Sequence, residues 1–183
     1  MHKTSADTPI NNNQLMIKAL YQIENTLLNY NGLKIKNVVQ DHECQEYFGF
    51  NFQINKLNIK FRKAKVTPKK TGLFVSLWKR NATGQTAPFS INDNFDYYII
   101  ATEQDHQFGF FLFPKQVLSD NQILTKHNKE GKRGFRVYAD WNTPNNKQAQ
   151  KSKNWQEKYF IDLTNTENKC VEKLNSILPI TCL

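Results

Sequence analysis

The stretch Phe48-Gly49-Phe50-Asn51-Phe52-Gln53-Ile54-Asn55-Lys56-Leu57-Asn58-Ile59-Lys60-Phe61-Arg62 alternates apolar and polar residues on both sides of a two-residue break. Successive side chains of a strand point to opposite faces, so strict alternation marks a strand with one buried face. The pattern predicts a first strand whose Phe48, Phe50, Phe52 and Ile54 point to a core. A turn follows at Asn55-Lys56, then a second strand with Leu57, Ile59 and Phe61 inward. On this reading Asn58, Lys60 and Arg62 face solvent.

Other elements follow on either side of this hairpin. Residues 1–12 read as a mobile tail. Met16, Leu20, Ile23 and Leu27 recur at helical spacing and predict a helix over Asn13–Asn29. Downstream, Thr67-Pro68-Lys69-Lys70-Thr71-Gly72 reads as a basic loop and Leu73–Lys79 as a third strand. Phe95–Ala101 and Phe108–Phe113 are almost continuously apolar around Gln104-Asp105-His106, which predicts a hairpin buried on both faces at the centre of a sheet. Pro114 suits the first turn of a short helix through Leu118. Lys126–Arg133 reads as a second basic loop. Phe135, Val137 and Ala139 predict a strand ending near Trp141. Gln148–Phe160 and Glu167–Leu178 read as helices, the latter with a Cys170, Leu174, Ile177 stripe. Helix, strands, then helices is an α+β order. It implies a mixed, largely antiparallel central sheet flanked by helices, in one domain over residues 13–183.

Charge is distributed unevenly. The chain of 183 residues has 25 Lys and Arg against 16 Asp and Glu, a net of +9. Between Tyr47 and Asn92 there is no acid, yet Lys56, Lys60, Arg62, Lys63, Lys65, Lys69, Lys70, Lys79 and Arg80 all fall there. The other 16 bases equal the 16 acids of the whole chain, so the excess is local. Local positive charge attracts polyanions. Lys60 and Arg62 on one strand face would repeat every ~7 Å, a spacing suited to phosphates. Lys63, Lys65, Lys69, Lys70, Lys79 and Arg80 extend that face, and Lys132, Arg133 and Arg136 form a second cluster. Tyr138 and Trp141 beside it are candidates for stacking on bases, because single-stranded nucleic acid is held by charge and aromatic rings together. Lys147, Lys151 and Lys158 fall on one predicted helix face.

A basic α+β domain invites comparison with metal-dependent nucleases, which need converging carboxylates and a lysine. Glu46, Asp93, Asp96 and Lys60 are the candidates for that alternative, and it alone requires Mg²⁺. In Asn58-Ile59-Lys60, Asn stands where a metal-binding acid belongs. Asp41-His42-Glu43-Cys44 reads as a polar loop, since zinc sites want spaced ligands. Cys44, Cys170 and Cys182 are an odd count without Cys-x-x-Cys spacing, which argues for free thiols in a reducing compartment. No apolar run is long enough to span a bilayer. The expected setting is the cytoplasm, with no membrane partner.

Several blocks together resemble one bacterial family. They include Ile59-Lys60-Phe61-Arg62-Lys63-Ala64-Lys65-Val66-Thr67-Pro68-Lys69-Lys70-Thr71-Gly72, Leu77-Trp78-Lys79-Arg80-Asn81, Phe110-Phe111-Leu112-Phe113-Pro114-Lys115 and Gly131-Lys132-Arg133-Gly134-Phe135-Arg136-Val137-Tyr138. In order and over roughly Asn13 to Leu163, they are similar to the MepB family. That resemblance implies a restriction-endonuclease-like fold and nucleic-acid binding. The expected function is therefore phosphate-backbone binding with little base readout, DNA ranking ahead of RNA. The alternatives are a metal-dependent nuclease and a basic module that meets an acidic protein.

Overall fold

The computed structural model describes residues 18–26, 32–164 and 167–178. The predicted tail and both ends of the Asn13–Asn29 helix lie outside them. A helix over residues 18–26 (α1) is followed by eleven strands and three more helices, among them β1 (Ile35–Gln40), β2 (Phe50–Ile54), β3 (Leu57–Lys63), β4 (Lys65–Thr67) and β5 (Lys70–Ser76). Then come β6 (Trp78–Arg80), β7 (Thr86–Pro88), β8 (Tyr97–Gln104), β9 (Gln107–Pro114), α2 (Lys115–Asp120) and β10 (Gly134–Val137). The chain continues through α3 (Lys147–Gln156), β11 (Phe160–Asp162) and α4 (Glu167–Ile177). The main sheet has the order β1-β2-β3-β8-β9-β11, in which only the β3–β8 pair is parallel. A second sheet, β10-β5-β4, is antiparallel, as is the β6–β7 ribbon.

The alternating stretch forms the predicted hairpin. Ile54 pairs with Leu57 across Asn55-Lys56, and Asn55 takes a left-handed φ of 52° that asparagine tolerates. Phe50, Phe52, Ile54, Ile59 and Phe61 enter a core closed by Ala19 and Ile23 of α1 and by Cys170, Leu174 and Ile177 of α4. Phe48 lies outside the strand, at φ 50°. The apolar hairpin is central as expected, with Asp105-His106 as its turn. It is buried on both faces because Ile99, Phe110 and Leu112 face that first core. Tyr98, Ile100, Phe111 and Phe113 face a second one, shared with Leu73, Val75, Phe135 and Val137 of the small sheet.

That second layer overturns one expectation. The small sheet lies against the other face of the main sheet, so Lys60 and Arg62 do not face solvent: Lys60 is 7% exposed and Arg62 0%. Their counter-charge is Asp41. Arg62 Nη2 donates to Asp41 Oδ2, Arg62 Nη1 donates to the Phe61 carbonyl at 2.8 Å, and Lys60 Nζ reaches Asp41 at 3.3 Å and Asn51 Oδ1 at 2.8 Å. Asp41 is anchored by its own amide on the Gly49 carbonyl (2.8 Å) and accepts from the Glu43 amide (3.1 Å). Gly49 is required by this approach. A Cβ there would lie 2.7 Å from Arg62 Nη1 and 3.1 Å from Asp41 Cβ.

Other boundaries also move. The predicted Thr67–Gly72 loop is the tight tip of the β4–β5 hairpin, and the predicted third strand divides into β5 and β6. The predicted strand after Phe135 stops at Val137. The predicted Gln148–Phe160 helix ends at Gln156, so Lys158 leaves the face of Lys147 and Lys151. A 3-10 turn over Glu157–Tyr159 then delivers Phe160 to Asp162 as an edge strand on β9. The edge strand β1 and the three-residue β7 and β11 carry no alternation long enough to read.

Burial opposes the charge on Asp41. Arg62, through its charge and hydrogen bond, then Lys60 and the Glu43 amide outweigh it and hold the carboxyl below its ordinary value of 3.8. A depressed folded-state value makes this contribution full above about pH 4 and drains it as the pH falls further. Asp41→Asn leaves two buried cations without their anion. It should cost about 3 kcal/mol at pH 7, and the gap to wild type should narrow as urea unfolding is repeated toward pH 3. A gap independent of pH would assign Asp41 a role in shape alone. Gly49→Ala should lower stability by about 1–3 kcal/mol through overpacking. An unchanged melting temperature would show that Arg62 is not held where described.

Candidate nucleic-acid interface

The acid-free window is not free of acids in space. Asp41, Glu43, Glu46, Asp93 and Glu103 flank it in sequence and fold back onto it. Besides the Asp41 cluster, Lys63 pairs with Glu103 at 2.6 Å, Lys65 with Glu46 at 3.8 Å and Arg80 with Glu43 at 3.1 Å, while Lys79 pairs with Asp93. The 3-10 segment His42–Tyr47, which takes up most of the stretch Asp41–Cys44 expected to be a polar loop, is what carries Glu43 and Glu46 onto two separate strands. In the second cluster, Arg133 pairs with Glu130 at 2.9 Å. Six of the predicted phosphate contacts in the window, Lys60, Arg62, Lys63, Lys65, Lys79 and Arg80, are thus held by carboxylates.

The nuclease candidates are occupied too. Asp93 accepts the Ser90 amide (2.6 Å) as well as Lys79, and Asp96 accepts the Asn58 amide (2.7 Å) next to β8. Glu46 stands on the surface beside Lys65, and Lys60 is bound to Asp41 and Asn51. Among the described residues no three His, Cys, Asp or Glu side chains converge as a cation site. Asn58 itself joins a row of amides, Asn37–Gln53–Asn58–Asn94, linked at 2.6, 2.9 and 3.0 Å. These residues do not fit a Mg²⁺ centre, since amide oxygens already engaged by neighbouring amides supply no charge.

A different group of bases remains. Among the described residues Lys69, Lys70, Lys132, Arg136 and Lys151 have no carboxylate within ion-pairing distance. Four of them, Lys70, Lys132, Arg136 and Lys151, line one cleft of about 720 Å³, with Asp120 as its single acid. Its walls are β10, the β4–β5 tip, the turn after α2 and one side of α3.

Local chemistry explains this arrangement. Asn146 begins α3 by accepting the Ala149 amide at 2.9 Å, which sets Lys147 and Lys151 on the first turns. The Arg136 guanidinium spans the hairpin tip, donating to the Gly72 carbonyl at 3.0 Å, the Thr71 carbonyl at 3.3 Å and Thr67 Oγ1 at 2.6 Å. Gly72 turns there at φ 74°, and any Cβ would meet the Tyr138 ring at 2.7 Å. The buried Gln156 joins β10 to α3: its Oε1 accepts the Tyr138 amide at 2.8 Å and its Nε2 donates to the Arg136 carbonyl at 2.9 Å. Arg136 therefore shapes the cleft while lending it charge.

The two predicted stacking rings behave differently from expectation. Tyr138 is 6% exposed, so it is a wall of the cleft and not an open platform. Burial pushes its phenol up, and Arg136 pulls it partly back. Trp141 does not line the cleft; its ring sits edge-on to Phe160 at 5.2 Å and its indole nitrogen is buried. The ring missed in the sequence is Trp155. It lines the cleft with Phe113 behind it at 5.2 Å between centroids. Only its distance of four residues from Lys151, one helical turn, could have signalled it.

Among curated proteins no relative matches the chain. A crystal structure of MepB superposes with a TM-score of 0.71 at 29% identity, covering 86% of this chain and 100% of that one. A bacterial homing endonuclease, I-Ssp6803I, overlaps at a TM-score of 0.43 and 14% identity, over 76% of this chain and 84% of its own. The MepB-like family model matches residues 41–162. That match runs from Asp41, the anion behind β3, to the end of β11, and takes in the main sheet apart from β1, the small sheet and the cleft between the β4–β5 tip and α3. The chain belongs to the MepB-like family.

Proposed function

We propose that this protein binds nucleic acid by phosphate contacts along the rim of the cleft and the adjoining hairpin tip. Lys70, Lys132, Arg136 and Lys151 supply the rim, and Lys69 the tip. The observation that carries this reading is the sorting of the bases. Folding pairs six of the nine bases of the acid-free window and leaves Lys56, Lys69 and Lys70 without a carboxylate among the described residues, and Lys70 stands in one cleft with Lys132, Arg136 and Lys151. Clustered cations with one acid among them form a local positive field, and that field favours a polyanion. Membership of the MepB-like family and the overlap with the MepB structure are compatible with a nucleic-acid role. No helix of the described residues is long and apolar enough to cross a membrane. The anionic partner proposed is a nucleic acid, DNA ahead of RNA. Cleavage is not part of the proposal, because among the described residues the candidate carboxylates do not converge.

Neutralising about four phosphates should make log K fall against log salt with a slope of roughly −3 to −4 in anisotropy titrations of labelled DNA and RNA. Lys70→Ala with Lys132→Ala should lower that slope by about 1.5 and leave the melting temperature within about 2 °C, since surface changes are nearly neutral. Lys63→Ala, at a base already paired, should change the slope far less. Equal losses at Lys63 and at the cleft would mean that the charge acts diffusely and that the cleft is not the site. A slope near zero would remove the electrostatic basis altogether.

A further inference from the structure

We infer that the cleft receives an unpaired nucleotide, with its phosphate on the lysine rim and its base inside against Trp155; this rests on the nucleic-acid reading above. A rim of lysines alone needs no interior, yet this cleft has one. Its volume of about 720 Å³ lies within the range of small-ligand pockets, roughly 300–1,000 Å³. That is room for a nucleotide or two but not for a duplex, whose base faces are shut in the stack.

The lining changes character with depth. Lysines stand at the mouth, whereas Phe135, Tyr138 and Trp155 lie further in: Phe135 and Tyr138 are buried and Trp155 is half-buried. The Trp155 indole nitrogen is not among the buried unpartnered atoms, in contrast to that of Trp141, and it donates to no described residue. Phe113 backs the ring, so the indole is fixed in place before any ligand arrives. Aromatic rings take any base by its flat face, which gives affinity with little sequence preference.

Hydrogen-bonding groups complete the match. Gln122 and Gln148 line the cleft with side chains that have no partner among the described residues. Asn145 spends only its oxygen, which accepts Asn146 Nδ2 at 3.0 Å and Thr71 Oγ1 at 3.4 Å, so its amide N–H groups are available. Neutral donors and acceptors around an aromatic floor suit the edge of a base, and the cations at the mouth suit its phosphate.

The test compares two labelled 12-nucleotide strands of equal charge, one of thymidines and one of abasic sites, with the wild-type protein in low salt. The base-bearing strand should bind about 10-fold tighter. Trp155→Leu should erase that advantage while leaving abasic binding unchanged, and Gln148→Ala, on the exposed side of α3, should reduce it without touching the core. If Trp155→Leu fails to fold by circular dichroism, the wild-type comparison and Gln148→Ala still decide. Equal, salt-dependent binding of both strands overturns the base-in-cleft inference and leaves phosphate binding standing. Failure of both strands to bind overturns the nucleic-acid reading and this inference with it.

Discussion

Arg62 sits in the interior with its charge intact, and Asp41 is the reason it can. A guanidinium out of water is tolerated only when its charge is answered. The strand β3 is thereby buried on both faces although its sequence alternates. One face meets α1 and α4 through Ile59 and Phe61. The other turns Lys60 and Arg62 toward Asp41, with Phe89 under the Lys60 ammonium at 4.5 Å. The turn that begins at Asp41 is in turn what brings Glu43 and Glu46 over the neighbouring strands. One buried ionic cluster so determines where the neighbouring surface is neutral.

The cleft depends on a second set of polar contacts, weaker singly and directional. Arg136 fastens the hairpin tip from below, and Gln156 fastens β10 to α3. Both use backbone groups that would otherwise lack partners at the ends of short strands, where an unmet buried group costs more than a made bond gains. The site is therefore built where β5, β10 and α3 meet, with Lys70 at the start of β5, Lys151 on α3 and Lys132 in the loop before β10. Arg136, held in place before binding, loses little freedom when a phosphate arrives.

How much of this was legible depends on the range of the interaction concerned. Hairpin β2–β3, central hairpin β8–β9 and the buried stripe of α4 follow from side chains two to four residues apart, and the structure has all three. Short edge strands such as β1 and β11 carry too few residues for a period to show. The membership of the site was only half legible. Lys70, Lys132 and Arg136 were visible as bases in two clusters, but nothing local separates them from Lys60 or Lys79. Trp155 was hidden inside a polar helix, and Tyr138 was placed on the face opposite Phe135 and Val137 because alternation was read past the end of β10.

Composition and periodicity alone determined the α+β class, the two main hairpins and a concentration of positive charge in one quarter of the chain. These are properties of neighbours along the backbone. Which bases keep their charge available was decided only in three dimensions. Asp41 lies 21 residues from Arg62, and Glu103 lies 40 from Lys63. Desolvation and ion pairing act through space at a few ångströms. A window without a single acid in sequence is therefore largely neutralised once its flanks fold over it, and of the bases left unpaired Lys70 joins Lys132, Arg136 and Lys151 at the cleft.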